Sequence, residues 1–288
     1  MPYNNSMQTE RIEITEATCK TLLQKSKMGF TDYALNPYSG CAFGCSFCYV
    51  PSLRKFRGQE WETWGKWAQI KINAPEVLRK ELAKIGPEAR IMIGTATDAW
   101  QPVEKKAQIT RAILEELARH PNPVSLLTRS PLLLRDIPIL QRMAEEGRVR
   151  VGVSLSTFDE RARRVFEPRA PAVAGRVHLI KALIDAGIPT RLFWAPLLPG
   201  VSDNAEAVKD YLRRAAELGV RRVLCDLLNY RETMGAGYAE RLRAYYAAVA
   251  ASEGGGPSQH KALGRPALAR EIARWANQYG LLCHPEFA

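Results

Sequence analysis

No apolar run in the chain approaches the ~20 residues that a bilayer-spanning helix needs, which excludes an ordinary membrane-embedded protein. The first residues, Met1-Pro2-Tyr3-Asn4-Asn5-Ser6, lack a basic stretch followed by an apolar core, so no secretory leader is expected. Cysteine is scarce, six in 288 residues, and Cys19, Cys225 and Cys283 are scattered. That excludes the dense disulfide framework of a small secreted domain. No second C-x2-C pair accompanies Cys45 and Cys48, although a structural zinc site would be expected to want one. There is no long low-complexity segment. Nor is there one block of like charge: the net charge of +11 is dispersed, through Arg161, Arg163, Arg164, Arg213, Arg214, Arg221 and Arg222 among others. A basic balance can favour nucleic acid through phosphate neutralisation. A dispersed one describes an arginine-rich surface equally well.

What is present is concentrated in residues 36–50, Asn-Pro-Tyr-Ser-Gly-Cys-Ala-Phe-Gly-Cys-Ser-Phe-Cys-Tyr-Val. Cys41, Cys45 and Cys48 stand in a C-x3-C-x2-C spacing. Thiolates are soft ligands suited to iron–sulfur clusters, zinc or copper. Three on one short loop can hold three irons of a four-iron cluster, leaving the fourth iron open to a small molecule. The competing reading is a zinc loop or a redox-sensing thiol group. Gly40 and Gly44 let the loop wrap tightly, since glycine tolerates backbone angles that other residues avoid. A thiolate triad of this kind implies a reducing compartment, and cytoplasmic location is the expectation.

The length of 288 residues suits one large domain, and a single α/β barrel commonly runs to ~250. Residues 1–30 read as a leader covering one end of the core, with a short strand at Arg11–Thr15. Tyr33-Ala34-Leu35 is the first barrel strand and runs directly into the cysteine loop. Residues 51–72 are basic and aromatic, with Arg54, Lys55, Phe56, Arg57, Trp61, Trp64, Lys66 and Trp67. Such a segment can stack bases or pack as a lid. Helices are predicted from Ala74-Pro75 onward, at Ile109–Leu117, around Ile137–Met143, at Gly175–Ala186 and at Asn204–Leu218. Strands are predicted at 90–95, 123–128, 149–156, 190–195 and 222–228. After Asn229 the pattern changes to helix at 238–251, a Gly254-Gly255-Gly256-Pro257 break, and a last helix from Pro266 to Tyr279. The alternation implies parallel β/α units with right-handed crossovers. The expected domains are a leader (1–30), a barrel (31–232) and a C-terminal helical cap (233–288).

The C-x3-C-x2-C motif, with an aromatic before its third cysteine, resembles the signature of the radical S-adenosylmethionine (SAM) enzymes. Asn36-Pro37-Tyr38-Ser39-Gly40 and Cys48-Tyr49 are similar, more specifically, to the spore photoproduct lyase-like family of DNA repair photolyases. The resemblance covers roughly residues 33–230. It implies an α/β fold, a partial (β/α)6 TIM-type barrel with a C-terminal helical extension. It implies a four-iron four-sulfur (4Fe-4S) cluster on Cys41, Cys45 and Cys48. It also implies that SAM is cleaved by one electron to methionine and a 5′-deoxyadenosyl radical, which abstracts hydrogen from a substrate. The family's strand-end lysine is matched by Arg129, its strand serine by Ser154, and its serine before an aspartate by Thr97. Arg129 and Ser154 suit the SAM carboxylate, because guanidinium grips a carboxylate with two parallel hydrogen bonds. Thr97 is assigned to the methionine amino group and Phe47 to adenine. Glu167-Pro168 with Arg176 resembles a family pair that either enters the site or fixes a loop. Asp136 is read as a helix-start feature.

Thr95 departs from the family. It stands three residues before Asp98, where the lyases carry a cysteine that donates hydrogen to the product radical. The aliphatic O–H bond of Thr95 is too strong to replace a thiol, which leaves the Tyr49 phenol or the Cys283 thiol as substitutes. Three functions follow: a lyase or repair enzyme acting on nucleic acid, radical modification of a peptide or small metabolite, or a non-catalytic iron–sulfur or zinc protein. Expected partners are SAM and a one-electron reductant of flavodoxin or ferredoxin type, with a monomeric state and no membrane.

Overall fold

Aliphatic and β-branched runs alternate with amphipathic stretches along the chain, and each kind folds as its period dictates. A computed structural model describes residues 12–52, 63–228, 240, 243–247 and 263–285. Arg54, Lys55, Phe56, Arg57 and Trp61 of the basic aromatic segment lie outside these, as do the glycine-rich break and most of the helix predicted at 238–251.

In chain order the elements are β1 (Glu13–Ala17), β2 (Leu23–Lys25), β3 (Tyr33–Leu35), β4 (Tyr38–Gly40) and β5 (Trp67–Lys71), with the cysteine loop between the last two. Next come α1 (Ala74–Leu82), β6 (Ile91–Ile93), α2 (Glu104–Ala107), α3 (Ile109–Leu117), β7 (Val124–Thr128) and α4 (Ile137–Glu145). The rest are β8 (Val149–Ser154), α5 (Glu160–Phe166), α6 (Val173–Asp185), β9 (Thr190–Leu197), α7 (Ala205–Glu217), β10 (Arg222–Leu227), α8 (Arg265–Gln278) and β11 (Leu282–Pro285).

One sheet of eight strands has the order β11-β10-β9-β8-β7-β6-β3-β2. The six strands β3 and β6 to β10 pair in parallel, as the sequence predicts for a partial barrel. Two additions flank them. β2 pairs antiparallel with β3, and β11 pairs parallel with β10. The segment after the last helix, for which no strand is predicted, is therefore a strand, which forms because α8 packs beside α7 and returns the chain to the sheet edge. The end strands β2 and β11 do not pair with each other, so the barrel is open. A second sheet, β1-β5-β4, holds the N-terminal strand against the segment that follows the cysteine loop.

Local chemistry explains the boundaries. α7 starts where the Asn204 side chain accepts from the Ala207 backbone N–H at 3.0 Å. Its buried face is Val208, Tyr211, Leu212 and Ala215. α2 and α3 are separated by Gln108, which is left-handed at φ 52°. α5 escaped the sequence reading: its seven residues carry three arginines, and its start depends on Asp159 accepting from Arg161 N at 2.8 Å. The main core lies between strands and helices and includes Leu192, Trp194 and Tyr211, the last two stacked with ring centroids 3.9 Å apart. Among the described residues no helix is long and apolar enough to cross a membrane.

Candidate active site

A parallel barrel aims the carboxyl ends of its strands at one opening, and this one does. A cavity of about 560 Å³ is lined by Cys41, Cys45, Cys48, Phe47, Thr95, Thr97, Arg129 and Ser154. All seven residues assigned above to cluster and SAM thus meet at one place. The cysteines arrive on a loop held by backbone and side-chain contacts. Ala42 N–H donates to Gln101 Oε1 at 2.8 Å, Ser46 N–H to the Phe166 carbonyl at 2.9 Å, and Cys48 N–H to the Cys45 carbonyl at 3.1 Å. Gly40 and Gly44 have φ of 77° and 55°. A Cβ on Gly40 would lie 2.6 Å from the Trp67 ring, and one on Gly44 would lie 2.9 Å from the Gly65 Cα. The tight wrap therefore requires glycine twice over, for backbone angle and for space.

Cys41 and Cys45 are buried and unpaired, and Cys48 is partly buried and unpaired. Burial pushes all three thiols up, that of Cys48 to about 12. Ionising them here calls for a positive partner, which bound metal supplies. Among the described residues no three Cys, His, Asp or Glu side chains close on a single ion-sized point. A cubane takes one thiolate at each of several irons, so its ligands do not converge on one point either. What fits the donor set to a cluster is that three soft-ligand cysteines on one loop line the same cavity.

Above the cysteines, Arg129 is held from three sides. Its Nη2 donates to Ser154 Oγ at 3.0 Å, its Nε stands 3.7 Å from Glu167 Oε2, and its backbone N–H donates to Asp98 Oδ2 at 2.9 Å. The Nε is buried and has no hydrogen-bond acceptor. Burial pulls its pKa down, but the negative groups Cys45, Glu167, Asp98 and Cys41 outweigh this and raise it. Glu167 is itself fixed by the buried Arg176, which also donates to the Pro171 and Ser154 carbonyls at 3.0 and 3.2 Å. Burial pushes the Glu167 carboxyl up, but Arg176 and Arg129 hold it below its ordinary value. The pair therefore both fixes a loop and aims Arg129.

Thr97 donates to the Gly40 carbonyl at 2.5 Å and accepts from Gln101 Nε2 at 3.0 Å. A hydroxyl has two lone pairs, so one remains to accept from an ammonium. Asp98 is a brace. Its carboxylate accepts from Thr128 Oγ1 at 2.7 Å and Trp100 N at 2.9 Å as well as from Arg129 N. Sequence reasoning missed Gln101 and Asn36, the latter bonded to Thr95 Oγ1 at 2.9 Å and Ala96 N at 2.8 Å. Gln101 signals itself only as a polar residue beyond a strand end, and Asn36 stands in the family-like stretch with no role read for it. Asp136 precedes α4 but makes no capping bond with its side chain. It accepts instead from Trp100 Nε1 at 2.8 Å and from Arg111 at 3.0 Å, in a buried network.

The two substitutes for the missing cysteine separate. Tyr49 lines the cavity, and its hydroxyl donates to the Thr95 carbonyl. Cys283 lies on β11 with Sγ 3.6 Å from that of Cys225, outside the cavity lining. Trp64 and Trp67 meet edge to face at 6.3 Å and pack on Val50 and Ala96, the lid role.

Residues 35–212 match the Radical SAM superfamily. The chain belongs to this superfamily. An uncharacterized protein of Methanocaldococcus jannaschii is 28% identical over 193 residues, covering 67% of this chain and 71% of that one. An uncharacterized protein of Mycobacterium tuberculosis is 31% identical over 227 residues, 75% of this chain and 65% of its own length. In fold, this radical SAM chain is similar to spore photoproduct lyase complexed with dinucleoside spore photoproduct. The TM-score is 0.65 at 14% identity, over 94% of this chain and 82% of the lyase. It also resembles Streptococcus suis SuiB bound to S-adenosylmethionine, with a TM-score of 0.54 at 12% identity, over 96% and 50% of the two chains.

Proposed function

We propose that this protein cleaves SAM reductively and uses the resulting radical to take hydrogen from a substrate bound in the barrel. Membership of the superfamily supports the reaction class. The observation that carries the site is that three thiols, the Arg129 side chain and the Ser154 and Thr97 hydroxyl residues line one cavity. Cys41, Cys45 and Cys48 would hold a 4Fe-4S cluster. Arg129 and Ser154 would bind the SAM carboxylate, Thr97 would accept from its ammonium, and Phe47 would lie against adenine. A reduced cluster held by these cysteines would supply the one electron that cleaves SAM to methionine and a 5′-deoxyadenosyl radical. The chain's own contribution is to orient the cofactor and exclude water. Glu167 fixes the Arg129 fork, Asp98 fixes its backbone, and Gln101 fixes the cysteine loop to Thr97.

The substrate reading best supported is a small molecule or a short peptide segment. The surface arginines that suggested nucleic acid are largely spent on neighbouring carboxylates: Arg161 on Asp159, Arg163 on Glu160, Arg213 and Arg214 on Asp210. Thr95 also removes the thiol donor of the lyase reaction. A nucleic-acid lesion is the second reading, favoured by the net charge of +11. The test is anaerobic reconstitution with iron and sulfide, reduction with dithionite, addition of SAM, and chromatography for 5′-deoxyadenosine. Its formation, dependent on Cys48, is expected. Failure to assemble any four-iron cluster would overturn the proposal in favour of a zinc or thiol-sensing protein. Salt-dependent preference for lesion-containing over intact DNA would promote the second substrate reading.

A further inference from the structure

Side chains on a strand alternate between its two faces, and at the amino ends of β8, β9 and β10 the alternation leaves a cation on the barrel side of each. On β9, Leu192 and Trp194 enter the main core, so Arg191 and Phe193 face the interior, where both line the cavity. On β10, Val223 enters the core, and Leu224 lines the cavity, which puts Arg222 on the interior side. On β8, Val149, Val151 and Val153 enter the core and Ser154 lines the cavity, which puts Arg150 and Gly152 on the interior-facing side of the strand. The register brings these together. Gly152 pairs with Arg191, and the Leu192–Val223 pair sets Arg191 beside Arg222.

Among the described residues these three cations have no acidic partner to neutralise them. The Arg191 Nε is buried without an acceptor. Its guanidinium lies 5.1 Å from the centroid of the Phe193 ring. That ring occupies the space over Gly152, where a Cβ would come within 2.9 Å of it. Burial first, then the like charges of Arg150 and Arg222, push the Arg191 guanidinium below its ordinary value. Asp226, the acid further along the same face of β10, turns its carboxylate to the Leu227 backbone N–H at 2.8 Å. Among the described residues no carboxylate pairs with any of the three. A second hollow of about 90 Å³, lined by Arg191, Arg222, Leu224 and Leu282, adjoins them. Arg222, which lines it, is exposed, as is Arg150 on β8, so an anion can enter from solvent.

We infer that Arg150, Arg191 and Arg222 form an anion subsite at the amino end of the barrel interior, which takes the phosphate group of an organic substrate. Like charges on adjacent strands destabilise the sheet unless an anion offsets them. Three guanidinium forks offer more donors than two carboxylate oxygens can accept, whereas a phosphate monoester presents three terminal oxygens and two charges. Arg191 lines both the small hollow and the cavity of the cysteines. A substrate held by its phosphate here would extend its other end toward the thiols. That last step rests on the proposed radical chemistry; the subsite does not.

The test is titration calorimetry on the full chain, with inorganic phosphate as the first probe. Saturable binding is expected, weakened about tenfold or more by Arg191→Ala and by Arg222→Ala. Arg213→Ala, on the outer face of α7, should leave it unchanged. Arg222 is exposed, so its variant keeps the test open if Arg191→Ala fails to fold. Glycerol 3-phosphate should compete with phosphate, because the site opens toward the cavity; absence of competition would overturn the assignment to an organic phosphate. Succinate binding more tightly than phosphate would overturn the phosphate class. No saturable binding, or binding insensitive to both variants, would overturn the subsite. Phosphate binding without SAM cleavage would leave the subsite standing and the radical reading refuted. SAM cleavage without phosphate binding would do the reverse.

Discussion

Arg129 shows how much one side chain owes to its supports. Ser154, Glu167 and the Asp98 carboxylate fix it, and its buried Nε, beside Glu167, has no hydrogen-bond acceptor. Arg129→Ala should weaken SAM binding about tenfold or more, as read by equilibrium binding of SAM to the reconstituted protein. Asp136→Ala should leave SAM affinity nearly unchanged and lower stability instead. It strips Arg111, Arg135 and the Trp100 indole of a buried acceptor. Breaking a buried pair in this way costs about 3–5 kcal/mol, which denaturant unfolding would register. Equal loss of SAM affinity in the two variants would remove Arg129 from the site. Replacing Cys41, Cys45 or Cys48 singly with Ala should abolish 5′-deoxyadenosine formation, and retained cleavage would dismiss that cysteine as a ligand.

Elements position these residues through contacts between segments distant in sequence. The cysteine loop packs against the turn before β5, where Gly44 and Gly65 approach too closely for a side chain on either. Gly44→Ala should therefore cost about 2 kcal/mol or more and reduce iron loading, measured by thermal melting and iron content. At the opposite end of the barrel, Asp32 and Arg90 join the starts of β3 and β6. The Arg90 side chain and backbone N–H hydrogen-bond the Asp32 carboxylate and hold its pKa down at about 2. A carboxyl lowered on folding stabilises at pH values above its unfolded value and loses that contribution as pH falls through the folded one. Between about pH 4 and about pH 2, wild type should thus lose more melting temperature than Asp32→Asn. Parallel acid profiles for the two proteins would dismiss the contact as a stabiliser.

At the scale of the whole molecule, the open barrel gives one interior two chemically different ends. The carboxyl ends of the strands carry thiols, a guanidinium and hydroxyls; the amino ends of β8 to β10 carry arginines with no carboxylate partner among the described residues. β11 extends the sheet past β10 and contributes Leu282 to the smaller hollow, so the C-terminal segment helps to shape it. Raising ionic strength should weaken phosphate binding at the arginine end, whose rim is exposed, more than SAM binding at the buried end, since salt screens exposed charges most. Comparable salt slopes in the two titrations would contradict this division of the interior.

By itself the sequence determined the six parallel strands and the place of the cysteine loop. Apolar periodicity and strand-to-loop order are local properties that survive in one dimension. It determined Arg129 and Ser154 as strand-end residues for the same reason, since every strand end of a parallel barrel shares one opening. Only the tertiary structure decided the rest. That Glu167 and Arg176 serve Arg129, that Gln101 holds Ala42, and that Asp136 belongs to a buried network depend on contacts across 9 to 59 positions. That Tyr49 reaches the cavity and Cys283 does not depends on strand order. The arginine subsite has no sequence signal at all. Arg150, Arg191 and Arg222 stand far apart in the chain, and sheet register alone brings their charges to one face.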